Sequence, residues 1–501
     1  MNWDVIIIGS GIGGLTAGAL LARYGQRVLI CESHTLPGGA AHAFERRGFT
    51  FDSGPSFYAG IGCPSLNPLY QVLRILEEPL KTIPYDPLGH YHFSSRTVPI
   101  PCDLEKYQAI IAQFSRRGAS ELADFTALML QLYDALKKIP AIALRSDWQL
   151  ILSLWRYWPG LLKMLPQLGR INGSVGAVMD QTVRDPFVRR LIDLECFLLS
   201  GLKAHSTIAP EVAFMLGERQ KVGVEYPVGG SGAIVEALIR GLEKWGGELQ
   251  LNAHVEKILV RNGQAHGIKL RSQTEYYSPV VISNATLWDT YQQLLAPEDL
   301  PATFRGQSLQ TPAIDSFMHL HLGLKAEGLE DLTGHHVVVH DEDLDLGDPG
   351  NTCMISIPTV WDSQLAPLGH HVVHVYSLES FSGWQRDEHY AIQKQTKAKP
   401  LYRALGRVIP DWKDRLVLNL VGTPLTHARY LRRHQGTYGP AIAAGNGLFP
   451  SCQTPIQGLY RVGDSTLPGI GVPAVAASGA LCANTLVPWS EQAQLLAQYF
   501  D

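Results

Sequence analysis

The sequence predicts an α/β protein in which a Rossmann-like dinucleotide-binding domain is interleaved with an α+β substrate domain. Three observations carry this prediction. The apolar, β-branched run Asp4-Val-Ile-Ile-Ile-Gly9 leads into a glycine-rich turn and a small-residue helix. A second strand follows and ends on an acid, Glu32. Far down the chain, another strand runs into Gly463-Asp464 and a helix that opens near Pro473.

The first run is apolar almost throughout, which suits a strand covered on both faces in a parallel sheet. Gly9-Ser10-Gly11-Ile12-Gly13-Gly14 then opens a helix that stops at Gly25, and Arg27-Val-Leu-Ile-Cys-Glu32 forms the next strand. Gly9 makes the tight turn, Gly11 lets the backbone approach a pyrophosphate, and Gly14 lets helix and strand pack closely. The helix N-terminus then faces the phosphates. Glu32 stands about 20 residues beyond the glycines, where a carboxylate accepts hydrogen bonds from an adenosine ribose.

Composition narrows the function. A chain of 501 residues, 46% hydrophobic and 18% charged, is globular and long enough for more than one core. A formal net charge of -4 and the lack of basic runs interleaved with aromatics exclude nucleic acid as an expected partner. Cys31, Cys63, Cys102, Cys196, Cys353, Cys452 and Cys482 include no C-x-x-C pair, which points to a reducing, cytoplasmic setting. A strand starting at Asp4 leaves no room for a secretory signal, and no apolar run reaches the roughly 18 residues of a membrane span.

After Glu32 come Leu36-Pro-Gly38-Gly39-Ala40 and Gly48-Phe-Thr-Phe-Asp52-Ser-Gly54-Pro55-Ser56. With the late Gly458-Leu-Tyr-Arg-Val-Gly463-Asp464 and Gly471-Val472-Pro473-Ala474, these stretches resemble the FAD-dependent carotenoid desaturase and isomerase family of the amine oxidase-type flavoprotein superfamily. Tyr226-Pro-Val-Gly-Gly230, Gly422-Thr-Pro-Leu-Thr-His427 and Gly436-Thr-Tyr-Gly-Pro440 also look like carotenoid isomerases and their desaturase relatives, including the phytoene desaturases. The likeness spans nearly the whole chain and is specific at the cofactor motifs.

The resemblance implies FAD rather than NAD. Ser10, Ile12, Gly13, Ser33, Gly38, Gly39, Ala40, Pro55 and Ser56 then join Gly9, Gly11, Gly14 and Glu32 around the cofactor. Val255 meets the adenine by its backbone, Asn284 ends the strand that returns to the domain, and Asp464 holds the ribityl or diphosphate part. Gly463, Gly471, Val472, Pro473 and Ala474 bring a helix N-terminus to the isoalloxazine. The fold implied is of the glutathione reductase and amine oxidase type, with the FAD-binding domain over 1–75, 216–290 and 421–501. The substrate domain takes 76–215 and 291–420. Helices are expected in its first part and strands at Ser316 to Leu324, His336 to His340, Cys353 to Pro358 and His371 to Ser377 in its second.

The implied activity is on a polyene in carotenoid biosynthesis: desaturation, with a quinone or oxygen as electron acceptor, or cis-trans isomerisation, in which the reduced flavin assists rotation with no net redox. The alternatives are a retinol saturase-like or amine oxidase-like flavoenzyme, or an isoprenoid-lipid carrier of the GDP-dissociation-inhibitor fold. Glu225 is the candidate general acid or base, with a structural carboxylate as the alternative reading. His319 and His321 share a strand face, but no carboxylate or cysteine stands at ligand spacing and no metal is expected. Arg429, Arg432 and Arg433 read as a solvated face. The segment Asp147 to Pro166, with Trp148, Trp155 and Trp158 among many leucines, reads either as a core helix under the substrate domain or as a helix lying in a membrane interface; the resemblance favours the second, giving a peripherally membrane-associated protein.

Overall fold

The computed structural model describes residues 3–54, 56–445 and 449–500. Five parallel strands form the sheet that carries the glycine motif, in the order Leu459–Arg461, Val280–Ser283, Val5–Ile8, Val28–Cys31, Glu248–Gln250. Its central strand is apolar at every position because both faces are covered. Val5 and Ile7 pack with Leu15, Leu238 and Ala480 of the helices Ile12–Arg23, Ser231–Lys244 and Val472–Thr485. Ile6 and Ile8 pack against Ile258, Ile268 and Leu270 of the antiparallel sheet Val255–Arg261, Gln264–Leu270, Glu275–Tyr277.

A seven-stranded sheet forms a second layer, in the order Leu416–Gly422, Ser316–Lys325, His370–Glu379, Thr352–Ser356, His335–Val339, Gly89–His92, Thr97–Ile100. Alternation sorts its side chains. Met318, Leu320, Leu322, Val373 and Val375 face the helix Tyr390–Val408. His319, His321 and His374 point the other way, towards Phe44 and Phe51 of the strand pair Ala43–Arg46 and Phe49–Asp52.

All four strands expected in the second part of the substrate domain are present. The first part is not purely helical: it also supplies Gly89–His92 and Thr97–Ile100 to the large sheet. The reason is the alternation of those runs. Tyr91, Val98 and Ile100 enter a core shared with the helices Arg116–Leu136, Pro186–Ser200 and Ala209–Val222, while His90 and His92 face His336.

The tryptophan-rich segment is not one helix. Leu150–Arg156 and Trp158–Met164 meet at Tyr157, whose φ of -107° and ψ of 20° break the helical path one residue ahead of the Trp158-Pro159 step. Trp148 and Trp155 are each 75% exposed, with Ile151, Trp158, Leu162 and Leu165 exposed beside them. Among the described residues no helix is long and apolar enough to cross a membrane.

Candidate active site

Two helices present bare N-termini to one cavity of about 1100 Å³. The helix Ile12–Arg23 starts at Gly11 with no side-chain cap and no acid in its first turn. The helix Val472–Thr485 starts at Gly471 in the same way, with Pro473 in its first turn, where the missing N–H costs nothing. The unsatisfied N–H groups and positive dipole ends of both therefore face a space suited to negative charge.

Glycines let these ends come together. A Cβ on Gly14 would lie 2.3 Å from the Gly9 carbonyl oxygen, and one on Gly479 would lie 2.5 Å from that of Gly13. Only bare backbone fits at either contact. Asn284, at the end of the neighbouring strand, donates from Nδ2 to the Gly9 carbonyl at 3.5 Å, and a Cβ on Gly11 would lie 2.6 Å from that same nitrogen. Gly463, at φ +108°, turns its strand so that its N–H reaches Ser478 Oγ at 3.1 Å.

Glu32 is 7% exposed and lines the cavity. Its Oε2 accepts from the Ser10 N–H and hydroxyl at 2.8 and 2.7 Å, and its Oε1 from the His34 N–H at 2.8 Å and Ser33 Oγ at 3.3 Å. These four bonds use the carboxylate's lone pairs and fix it at the cavity edge, where a sugar hydroxyl would take the place of the 3.3 Å contact with the rotatable Ser33 hydroxyl. Gly38, Gly39, Ala40, Val255, Val472 and Ala474 lie on the same wall. Ser56 lies there too and bonds the Tyr376 hydroxyl at 3.1 Å. Ser10, Gly13 and Gly14 build the wall from behind, and Pro55 lies outside the described residues.

Asp464 also lines the cavity, and its partner corrects one expectation. Arg433 does not belong to a solvated face. Its guanidinium pairs with Asp464 and also donates to the carbonyls of Thr437 at 2.9 Å and Tyr438 at 3.1 Å. The pair needed a turn after the helix Pro424–Leu431 to bring Arg433 back to the cavity, where Arg432 adopts the left-handed conformation.

Beyond the two helix ends the cavity wall becomes apolar, with Phe197, Phe214, Met215, Phe317, Leu378 and Ile442. One acid stands in it. Glu211, in the first turn of Ala209–Val222, opens onto the cavity rather than bulk water, and burial raises its pKa to about 7. Nothing in the local sequence marked it, because an acid in a first helical turn is common on solvated helices.

Glu225, the acid chosen from sequence, is placed elsewhere. It is buried, does not line the cavity, and accepts from the N–H groups of Ile61 at 3.1 Å and Gly62 at 2.8 Å and from Cys63 Sγ at 3.0 Å. Those bonds make it the anchor of a loop. The histidines on the sheet face stay neutral, as does His427 of the helix Pro424–Leu431 beside them: burial and neighbouring imidazoles hold His319 and His321 well below the usual range, and burial takes His374 to about 3 and His427 to about 4.

A family described as an NAD(P)-binding Rossmann-like domain matches residues 7–74. Prolycopene isomerase 2, chloroplastic, of an Oncidium hybrid cultivar is 36% identical, over 96% of this chain and 83% of its own length. The neurosporene-forming phytoene desaturase of Rhodobacter capsulatus is 28% identical, over 96% and 93%. Among solved structures, a putrescine oxidase variant shares the fold with a TM-score of 0.64 at 14% identity, over 99% of each chain. From the match to the prolycopene isomerases along nearly its whole length, the chain belongs to the carotenoid desaturase and isomerase family.

Proposed function

We propose that this protein is an FAD-dependent oxidoreductase acting on a carotenoid or related polyene, with cis-trans isomerisation the favoured reaction and desaturation the second reading. One observation carries the proposal: two uncapped helix N-termini, Glu32 and Asp464 converge on a cavity whose far wall is apolar. The residues fit FAD. Glu32 suits the adenosine ribose, the Gly11 end of the first helix a diphosphate, and Asp464 a ribityl hydroxyl. Val255 lines the same cavity, which is compatible with an adenine beside its backbone. The higher identity to the prolycopene isomerase, 36% against 28% for the desaturase, favours isomerisation.

Bound FAD supplies hydride or electron exchange with the polyene. The chain supplies the rest. The N-terminus of Val472–Thr485 would stabilise negative charge on a bound flavin. Arg433 positions Asp464. The apolar wall orients the polyene and excludes water, which protects a charged or reduced intermediate state from solvent. Glu211 holds a proton at the cavity near neutral pH.

A polyene does not cross water, so it needs a route from lipid. Ile139, Pro140 and Leu144 line the cavity just before the exposed Trp148 to Leu165 segment. We read that segment as the contact with a membrane surface, through which the substrate arrives and, for desaturation, a quinone where oxygen is not the acceptor, and the five- and seven-stranded sheets as the centres of the FAD and substrate domains. The test is incubation of the holoprotein in liposomes with cis isomers of lycopene and with neurosporene, followed by chromatography. Conversion of a cis isomer to the trans form supports isomerisation, and additional double bonds support desaturation. Unchanged pigment with reducible bound flavin overturns the polyene assignment.

A further inference from the structure

We propose that His319, His321 and His374 form a binding site for a divalent first-row transition metal of the zinc class, on the face of the seven-stranded sheet that looks towards the cavity. The sheet register brings them together. His321 stands directly opposite His374 on the antiparallel partner strand, and His319 follows on the same face. One ring nitrogen from each lies within 4.8 Å of the others.

All three side chains are buried, and the Nε2 atom of each is without a hydrogen-bond partner among the described residues. Buried ring nitrogens are normally satisfied, and here three that lack a partner belong to histidines whose ring nitrogens cluster as the ligands of one ion do. Tetrahedral ligation at about 2.0–2.1 Å places ring nitrogens roughly 3.3 Å apart, a closure within reach of side-chain rotation.

The ligand set also selects the ion. Three imidazoles without a carboxylate suit zinc, cobalt, nickel or iron and exclude calcium and magnesium, which take oxygen ligands. His319 and His427 line the cavity, their rings stack with centroids 5.9 Å apart, and Nε2 of His427 is unpartnered too. The fourth position therefore opens towards the cavity beside His427, where a bound water could complete the coordination and, as hydroxide, offset one of the two charges. The other imidazole cluster differs: His92 Nε2 is bonded to His336 Nδ1 at 3.1 Å, so its nitrogens are already engaged.

Sequence reading expected no metal because no ligand stood near His319 and His321 in the chain. The partner is supplied across the sheet. The test is titration of the flavin-loaded protein with cobalt(II), read by the ligand-field bands at wavelengths longer than flavin absorption. The proposal expects intense four-coordinate bands that saturate at one equivalent, vanish in H321Q/H374Q and persist in H92Q. Bands that survive in the double variant, or none in the folded wild type, overturn it. If the double variant does not fold, X-ray absorption of the zinc-loaded wild type decides: three imidazole scatterers support the site, and fewer than three overturn it.

Discussion

Replacing Gly14 by alanine tests whether the first helix must touch its strand for a dinucleotide to bind. The added Cβ would lie 2.3 Å from the Gly9 carbonyl oxygen and 3.1 Å from Asn284 Cβ. A normal contact needs roughly 3.3 Å, so the helix start must retreat from the strand by about 1 Å. The Gly9 oxygen is backbone of the turn that directly follows the central strand Val5–Ile8, with no rotamer by which to yield. Overpacking of this kind costs about 1–3 kcal/mol. If the helix relieves the clash by moving, its N–H groups leave the diphosphate and the same cost falls on binding, a roughly 5- to 150-fold rise in the FAD Kd. The assay is titration of the apoprotein with FAD, followed by flavin fluorescence, with circular dichroism to confirm folding. Gly306, in the helix Ala302–Leu309, has open space around it and serves as the control. A folded Gly14→Ala protein that binds FAD within twofold of wild type would refute the close-packing argument.

Further outcomes follow from the same structure. Gly306→Ala should leave FAD affinity alone and stabilise the fold by about 0.5–1 kcal/mol, read from a denaturant midpoint. Glu211 has a folded-state pKa raised to about 7, so the native state holds its proton more tightly than the unfolded chain. Its contribution to stability is complete below the ordinary carboxylate range and is lost as pH rises through 7. Glu211→Gln should therefore flatten the fall in Tm between pH 5 and 8 and remove an inflection near pH 7 from the activity profile; an unchanged profile removes Glu211 from proton handling. Glu225→Ala strands the Ile61 and Gly62 N–H groups and should cost about 1–3 kcal/mol, while enzyme below its melting range keeps its turnover. A large loss of kcat with an unaltered Tm would return Glu225 to the list of catalytic candidates. Replacing Trp148, Trp155 and Trp158 together by serine removes rings that are already exposed, so Tm should hardly move. Liposome co-sedimentation should weaken by at least about tenfold, and undiminished co-sedimentation would deny the segment its membrane role.

What could be read from sequence was whatever repeats along it. The strand Val5–Ile8, the glycine turn and the strand ending before Glu32 announce themselves because their constraints are local: apolar runs, a required positive φ and a fixed spacing. The strand from Ser316 was equally visible by alternation, and so was the shared face of His319 and His321. Which residue stands across from them is set by strand register, and register depends on loops and partners that periodicity does not encode. His374 therefore appeared only in the structure, as did the pairing of His336 with His90 and His92 from a region expected to be helical. The same holds for Arg433 and Asp464. Asp464 was expected at the cofactor and Arg433 on a solvated face, and their ion pair spans 31 positions of chain. Glu211 and Glu225 show the limit for acids: sequence identifies a carboxylate, whereas burial and the direction it faces decide whether it anchors a loop or titrates in a cavity.

The account rests on a flavin held between the glycine turn and the segment around Asp464. Heat or acid denaturation of the protein as purified, followed by mass analysis of what leaves it, tests this most directly. The account predicts FAD, at one molecule per chain, with the yield falling sharply in Glu32→Ala and Asp464→Ala. Release of a nicotinamide dinucleotide instead, or failure of the folded protein to take up added FAD, would contradict it.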